Sequence, residues 1–166
     1  MTTAEIVINC EDDGWPAGLE PGLRSAAEKV LFDWLRSDAE TAELGITLTD
    51  DETVRTLNRD HRGQDKPTNV LSFPLAGADF APEAPGAPLL LGDVVLALGT
   101  VAREAAEQGK SLEAHAVHLV VHGVLHLLGH DHETDADAEA MERLEIGVLQ
   151  ALGLPNPYTD PSPERP

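Results

Sequence analysis

Hydrophobic positions along the chain switch between a two-residue and a helical period. EIVINC (residues 5–10) alternates and is β-branched, which predicts a strand. From Pro21 to Ser37, Leu23, Ala27, Val30, Leu31 and Trp34 recur at helical spacing and predict an amphipathic helix. LGITLT (44–49) reads as a second strand. Thr49-Asp50-Asp51-Glu52 follows with the spacing of a capping box, opening a helix through Val54 and Leu57. NVLSFPL (69–75) is extended, and Pro74, which has no N–H to give a ladder, places it at a sheet edge. A loop rich in Pro, Gly and Ala (76–88) leads to a further strand, LLLGDVVLAL (89–98).

The remainder reads as helical. One helix runs from Thr100 to Gln108 and stops at Gly109, and a second, capped by Ser111, runs to Leu128. A last one, capped by Thr134, turns Ala138, Met141, Leu144, Val148 and Leu152 inward and is closed by Gly153. Four strands with five interleaved helices predict one α/β (α+β) domain with a mixed sheet over residues 1–154. The Pro-rich segment 155–166 is expected to be a flexible tail.

A length of 166 residues fits a single domain, and 42% hydrophobic against 25% charged residues is a globular balance. No apolar run is long enough for a membrane span, and the N-terminus lacks the basic start and apolar stretch of a signal peptide, so a cytoplasmic protein is expected. Cys10 is the one cysteine, which excludes an intramolecular disulfide and a Cys-based zinc site. The net charge of −19 argues against nonspecific binding of nucleic acid, and DNA is not an expected partner. The acidity is uneven. Residues 1–60 carry fourteen acidic and five basic side chains and residues 111–166 ten and two, but residues 61–110 carry six and four. A polyanion meets least opposition in that middle third.

Six of seven histidines fall within eighteen residues: His115, His118, His122, His126, His130 and His132. On the predicted helix the first four share one face. His122 and His126 stand one turn apart, so their imidazoles can converge on one ion. Gly129 can take the left-handed conformation that ends a helix and turns the chain back, bringing His132 toward the same point. H-x-x-x-H-x-x-G-x-x-H thus offers three nitrogen donors and one open position, the layout of a catalytic zinc site. Metzincin proteases share this spacing but carry Glu directly after the first histidine, as general base. Here that residue is Gly123. His115 and His118 fit either packing or substrate-facing roles, and Asp131 either orients a ligand histidine or caps the turn.

The block His122-Gly-Val-Leu-His-Leu-Leu-Gly-His-Asp-His132 resembles the H-G-x-L-H-L-x-G-Y-D-H motif of the YbeY family of bacterial endoribonucleases and ribosomal RNA maturation factors. Leu57 to Pro74, with Arg62 and the run Pro67-Thr-Asn-Val-Leu-Ser-Phe-Pro74, is similar to a second block of that family, and Leu91 to Val95 to a third. The family's usual tyrosines are His61 and His130 here. His130 therefore stands as an alternative nitrogen donor to His132.

The resemblance implies one Zn2+ held by His122, His126 and His132, with Arg62 as the catalytic basic residue acting on an RNA phosphodiester. A guanidinium fork matches phosphate and stabilises charge developing on it. Lys66 is a weaker phosphate candidate, and strand 69–75 would form a wall of the cleft. The implied function is a single-strand-type endoribonuclease maturing the 3′ end of small-subunit ribosomal RNA and serving ribosome quality control. Its implied partners are ribosomal RNA and the small subunit, with a ribosomal protein or an assembly GTPase as further candidates. Two other readings remain: a ribosome-assembly binding factor with a structural metal, and a metallopeptidase, against which Gly123 weighs.

Overall fold

The computed structural model describes residues 2–130 and 134–158. Four strands form one mixed sheet: β1 (Thr3–Cys10), β2 (Thr41–Thr49), β3 (Val70–Pro74) and β4 (Leu89–Ala97), in the order β1-β2-β4-β3. β1, β2 and β4 are parallel, and β3 runs antiparallel to β4 at the edge that Pro74 predicts. Five helices complete the domain: α1 (Glu20–Trp34), α2 (Asp51–Arg62), α3 (Leu98–Glu107), α4 (Leu112–Leu127) and α5 (Asp135–Ala151). The predicted α/β domain with its four-stranded mixed sheet and five helices is the one observed.

α4 is apolar on nearly all sides because it is the central helix, packed against α1, α3, α5, β3 and β4. Its valines and leucines meet Leu44, Ile46, Leu91, Val94 and Leu96 of the sheet in the main core. On the other sheet face Val54 of α2 packs with Leu71, Val95 and Ala97.

The uninterrupted run LLLGDVVLAL acquires its meaning here. Leu89 and Leu91 face the main core, and so do Val94 and Leu96, although strict alternation would send the second pair to the opposite face. A register shift opposite Glu43 and Leu44 inserts one residue and resets the parity. Gly92 sits at that irregularity with φ 134°, and a Cβ there would lie 2.2 Å from the Phe73 carbonyl oxygen. Only glycine fits.

Several boundaries differ from the sequence expectation. α1 stops at Trp34 because Leu35 is already extended, and Trp34, expected on the inner face, is exposed. The cap of α2 is Asp50, one residue beyond Thr49: its carboxylate accepts from the Thr53 N–H at 2.7 Å. α3 begins two residues early, at Leu98. Its Thr100 N–H donates to the Asp51 carboxylate at 2.9 Å, so a cap is borrowed from α2. Ser111 and Thr134 cap α4 and α5 as expected, each accepting from the N–H three residues on. Among the described residues no helix is long and apolar enough to cross a membrane.

Candidate metal centre

α4 places His122 and His126 one turn apart, and their Nε2 atoms lie 3.1 Å from each other. Tetrahedral zinc with Zn–N bonds of about 2.05 Å holds two nitrogens about 3.3 Å apart, so this pair is spaced as two ligands of one ion. The tautomer of His122 is fixed from behind. Its Nδ1–H donates to Glu145 Oε2 at 2.8 Å, which leaves the Nε2 lone pair facing His126. Geometry and donor chemistry both fit zinc. Among the described residues no group of three ligating side chains is assembled; the third expected ligand, His132, lies outside them, as does Asp131.

Glu145 is the residue that sequence reasoning missed. It sits on the inner face of α5 beside Met141, Val148 and Leu149, and is 1% exposed. Its Oε1 accepts from His118 Nε2–H at 2.6 Å and its Oε2 from His122. Burial pushes its pKa up, but the hydrogen bonds from His118 and His122 outweigh that and hold it at about 2. It is therefore a buried carboxylate whose negative charge is stabilised by imidazole donors on α4. His118, one of the two open cases, belongs to this network.

His115 does not. It is buried, with Nε2 2.8 Å from Glu104 Oε1, an oxygen that also accepts from Asn69 Nδ2 at 2.9 Å. Desolvation lowers its pKa, so it is held as a neutral core residue. His130 packs edge-on to Trp34, with ring centroids 6.4 Å apart.

In front of the two imidazoles opens a cavity of about 390 Å³ lined by Arg62, Thr68, Asn69, Val70, Ser72, Pro74, His122 and His126. Strand β3 forms one wall, as expected. Among the described residues no carboxylate lines it, although the chain as a whole is strongly acidic. Arg62, in the last turn of α2, reaches this wall: its Nη2 donates to the Ser72 carbonyl at 2.9 Å and its guanidinium carbon stands 6.0 Å from the Phe73 ring centroid. One anchored donor leaves further N–H groups of the fork for an anion. Lys66 is exposed and is not among the lining residues.

Gly123 has a packing role that its neighbouring histidine hides. A Cβ there would meet Val94 Cγ1 at 2.7 Å and Ser72 Oγ at 3.1 Å. Ser72 Oγ in turn donates to the Gly123 carbonyl at 3.1 Å. α4 therefore lies so close on β3 and β4 that no side chain fits between. The missing carboxylate of the peptidase pattern is replaced by the sheet itself.

Known proteins resemble this chain along most of its length. The family profile described as Endoribonuclease YbeY matches residues 19–153. An Endoribonuclease YbeY of Rhodopseudomonas palustris (strain HaA2) is 56% identical over 163 residues, covering 96% of this chain and 83% of the relative. One of Sinorhizobium medicae is 47% identical over 174 residues, covering 98% and 99%. The solution structure of TM1509 from Thermotoga maritima superposes with a TM-score of 0.58 at 26% identity, covering 97% of this chain and all of that one. With the profile spanning most of the domain and relatives near half identity along its length, the chain belongs to the YbeY family of endoribonucleases.

Proposed function

We propose that this protein is a zinc-dependent endoribonuclease of the cytoplasm that matures ribosomal RNA, acting at the 3′ end of small-subunit RNA and in ribosome quality control. The observation that carries this reading is that Arg62 and an imidazole pair, one member of which a buried carboxylate orients, line one cavity with no acidic side chain among its described lining residues. An anionic backbone can enter there, in a chain whose charge elsewhere repels it. The name of the relatives, Endoribonuclease, supports an RNA phosphodiester as the bond attacked.

His122 and His126 would hold the ion, with His132 as the third ligand. A zinc ion supplies Lewis acidity toward a phosphoryl oxygen and lowers the pKa of water toward ~7. Glu145 keeps the His122 Nε2 lone pair directed at the site by holding the proton on Nδ1. Arg62, fixed by the Ser72 carbonyl, presents its remaining donors to the phosphate and neutralises charge that develops there. Thr68 and Asn69 bring neutral hydrogen-bonding groups to the same wall. A peptidase is the poorer reading, since position 123 has no room for a base. Ribosomal RNA and the small subunit are the proposed partners, with a ribosomal protein or an assembly GTPase able to offset the repulsion between two polyanions. Cleavage of ribosomal RNA precursors by zinc-loaded protein, absent in Arg62→Ala, tests the proposal. Processing by the Arg62 variant at the wild-type rate would contradict it.

A further inference from the structure

Between Gly153 and Tyr158 the chain after α5 folds back onto the domain. Gly153, with φ 81°, reverses it, and the Leu154 N–H donates back to the Leu149 carbonyl at 2.8 Å. Asn156 then shapes a turn in which its Oδ1 accepts from the Tyr158 N–H at 2.8 Å. Lys110 Nζ, from the loop between α3 and α4, donates to the Pro157 carbonyl at 3.2 Å and fastens the segment. The outcome of these three ties is the position of one side chain. The Tyr158 ring stands edge-on to His118, centroids 5.4 Å apart at 87°, and its hydroxyl donates to Glu145 Oε1.

That oxygen already accepts from His118, while Oε2 accepts from His122. The carboxylate is thus gripped at one oxygen by two donors, and the other oxygen is aimed at His122 Nδ1. A carboxylate has two rotational freedoms on the end of a flexible stem, and burial alone does not fix them. Removing the hydroxyl leaves Oε1 with His118 alone, so the carboxylate, and with it the His122 ring that it orients, is less tightly fixed. Tyr158 lies outside the residues matched by the family profile. The residue is 45% exposed, so it is not a core side chain, and its hydroxyl is directed at Glu145.

We propose that Tyr158 is a positioning residue of the metal centre: delivered by the chain reversal after α5, its hydroxyl fixes the Glu145 carboxylate that orients His122 and thereby sets how tightly the centre holds zinc. This rests on the zinc reading given above. Tyr158 touches neither ion nor substrate and acts through Glu145.

The test is a competition titration of the full chain with zinc and a chromophoric chelator, alongside the visible absorption spectrum of the cobalt-substituted protein. Tyr158→Phe keeps the ring on His118 and removes only the hydroxyl. Its zinc affinity should fall roughly 3- to 30-fold, below the loss expected for a residue that bonds a ligand directly, and the cobalt bands should shift. In a Glu145→Gln background the same substitution should produce no further loss, because the two residues form one chain. A Tyr158→Phe protein with wild-type zinc affinity and an unchanged cobalt spectrum would overturn the role of Tyr158 while leaving the centre intact. So would an equal loss in the Glu145→Gln background, which would mean that Tyr158 acts by another route. A wild-type chain that binds no zinc would overturn the centre itself and the proposal with it.

Discussion

Glu145→Gln changes no volume and no shape, yet it should damage both the metal centre and the fold. The glutamate accepts from His118, His122 and Tyr158. An amide offers one acceptor oxygen and one NH2 group, so at least one of these donors meets another donor. If the NH2 faces His122, the imidazole must shift its proton to Nε2, which removes the lone pair from the metal. Loss of such a partner typically weakens metal binding 10- to 100-fold. Stability falls as well. The Glu145 pKa lies at about 2 against 4.5 for an unperturbed glutamate, a difference equivalent to on the order of 3 kcal/mol for a residue this buried. The depressed value means that this contribution is present above pH 4.5 and is lost as the pH falls toward 2. Urea unfolding of the chelated proteins, at pH 7 and again near pH 3, reads it directly. Glu145→Gln should be less stable by roughly 2–4 kcal/mol at pH 7, and the gap should narrow at the lower pH. Equal stability at both pH values, together with wild-type zinc affinity, would refute the reasoning.

Alanine at His122, His126 or His132 should abolish stoichiometric zinc, measured by elemental analysis, whereas His115→Ala should keep the metal and lower the melting temperature, because His115 is buried against Glu104. Arg62→Ala should retain zinc and lose at most about 1.5 kcal/mol of stability, the usual worth of its one bond to the Ser72 carbonyl, while RNA cleavage falls by 10²-fold or more. Gly123→Ala should destabilise by about 1–3 kcal/mol in thermal unfolding, since Val94 must move, and Gly123→Glu should be worse and show no hydrolysis of a fluorogenic peptide.

The helix carrying His122 and His126 is legible in the sequence because ligand spacing and helix period are the same fact, and Ser111 marks its start. The edge position of β3 is equally legible from Pro74. Glu145 escaped because the apolar face of α5 was read from Met141, Leu144 and Val148, and a lone acid among them passes for a surface residue. The available signal was its place, four residues after Met141 and three before Val148, on the inward stripe. Tyr158 gives no periodic signal, since its position depends on a chain reversal, a local Asn156 turn and a tie from Lys110 far back in the chain. Gly123 is legible as the absence of a peptidase base, but its packing against Val94 depends on how closely α4 lies on the sheet, which no spacing shows. LLLGDVVLAL (89–98) reads as a strand, yet its facing depends on the bulge at Gly92, which is a matter of pairing.

RNA cleavage by this protein should depend on an ion held by the α4 histidines. The most direct test follows the cleavage of a ribosomal RNA precursor by one purified, nuclease-free preparation, first as loaded with zinc, then after chelation, then with zinc restored. Cleavage should be present, disappear and return in proportion to zinc bound. Undiminished cleavage by the chelated protein, or none by the fully loaded one, would contradict the account.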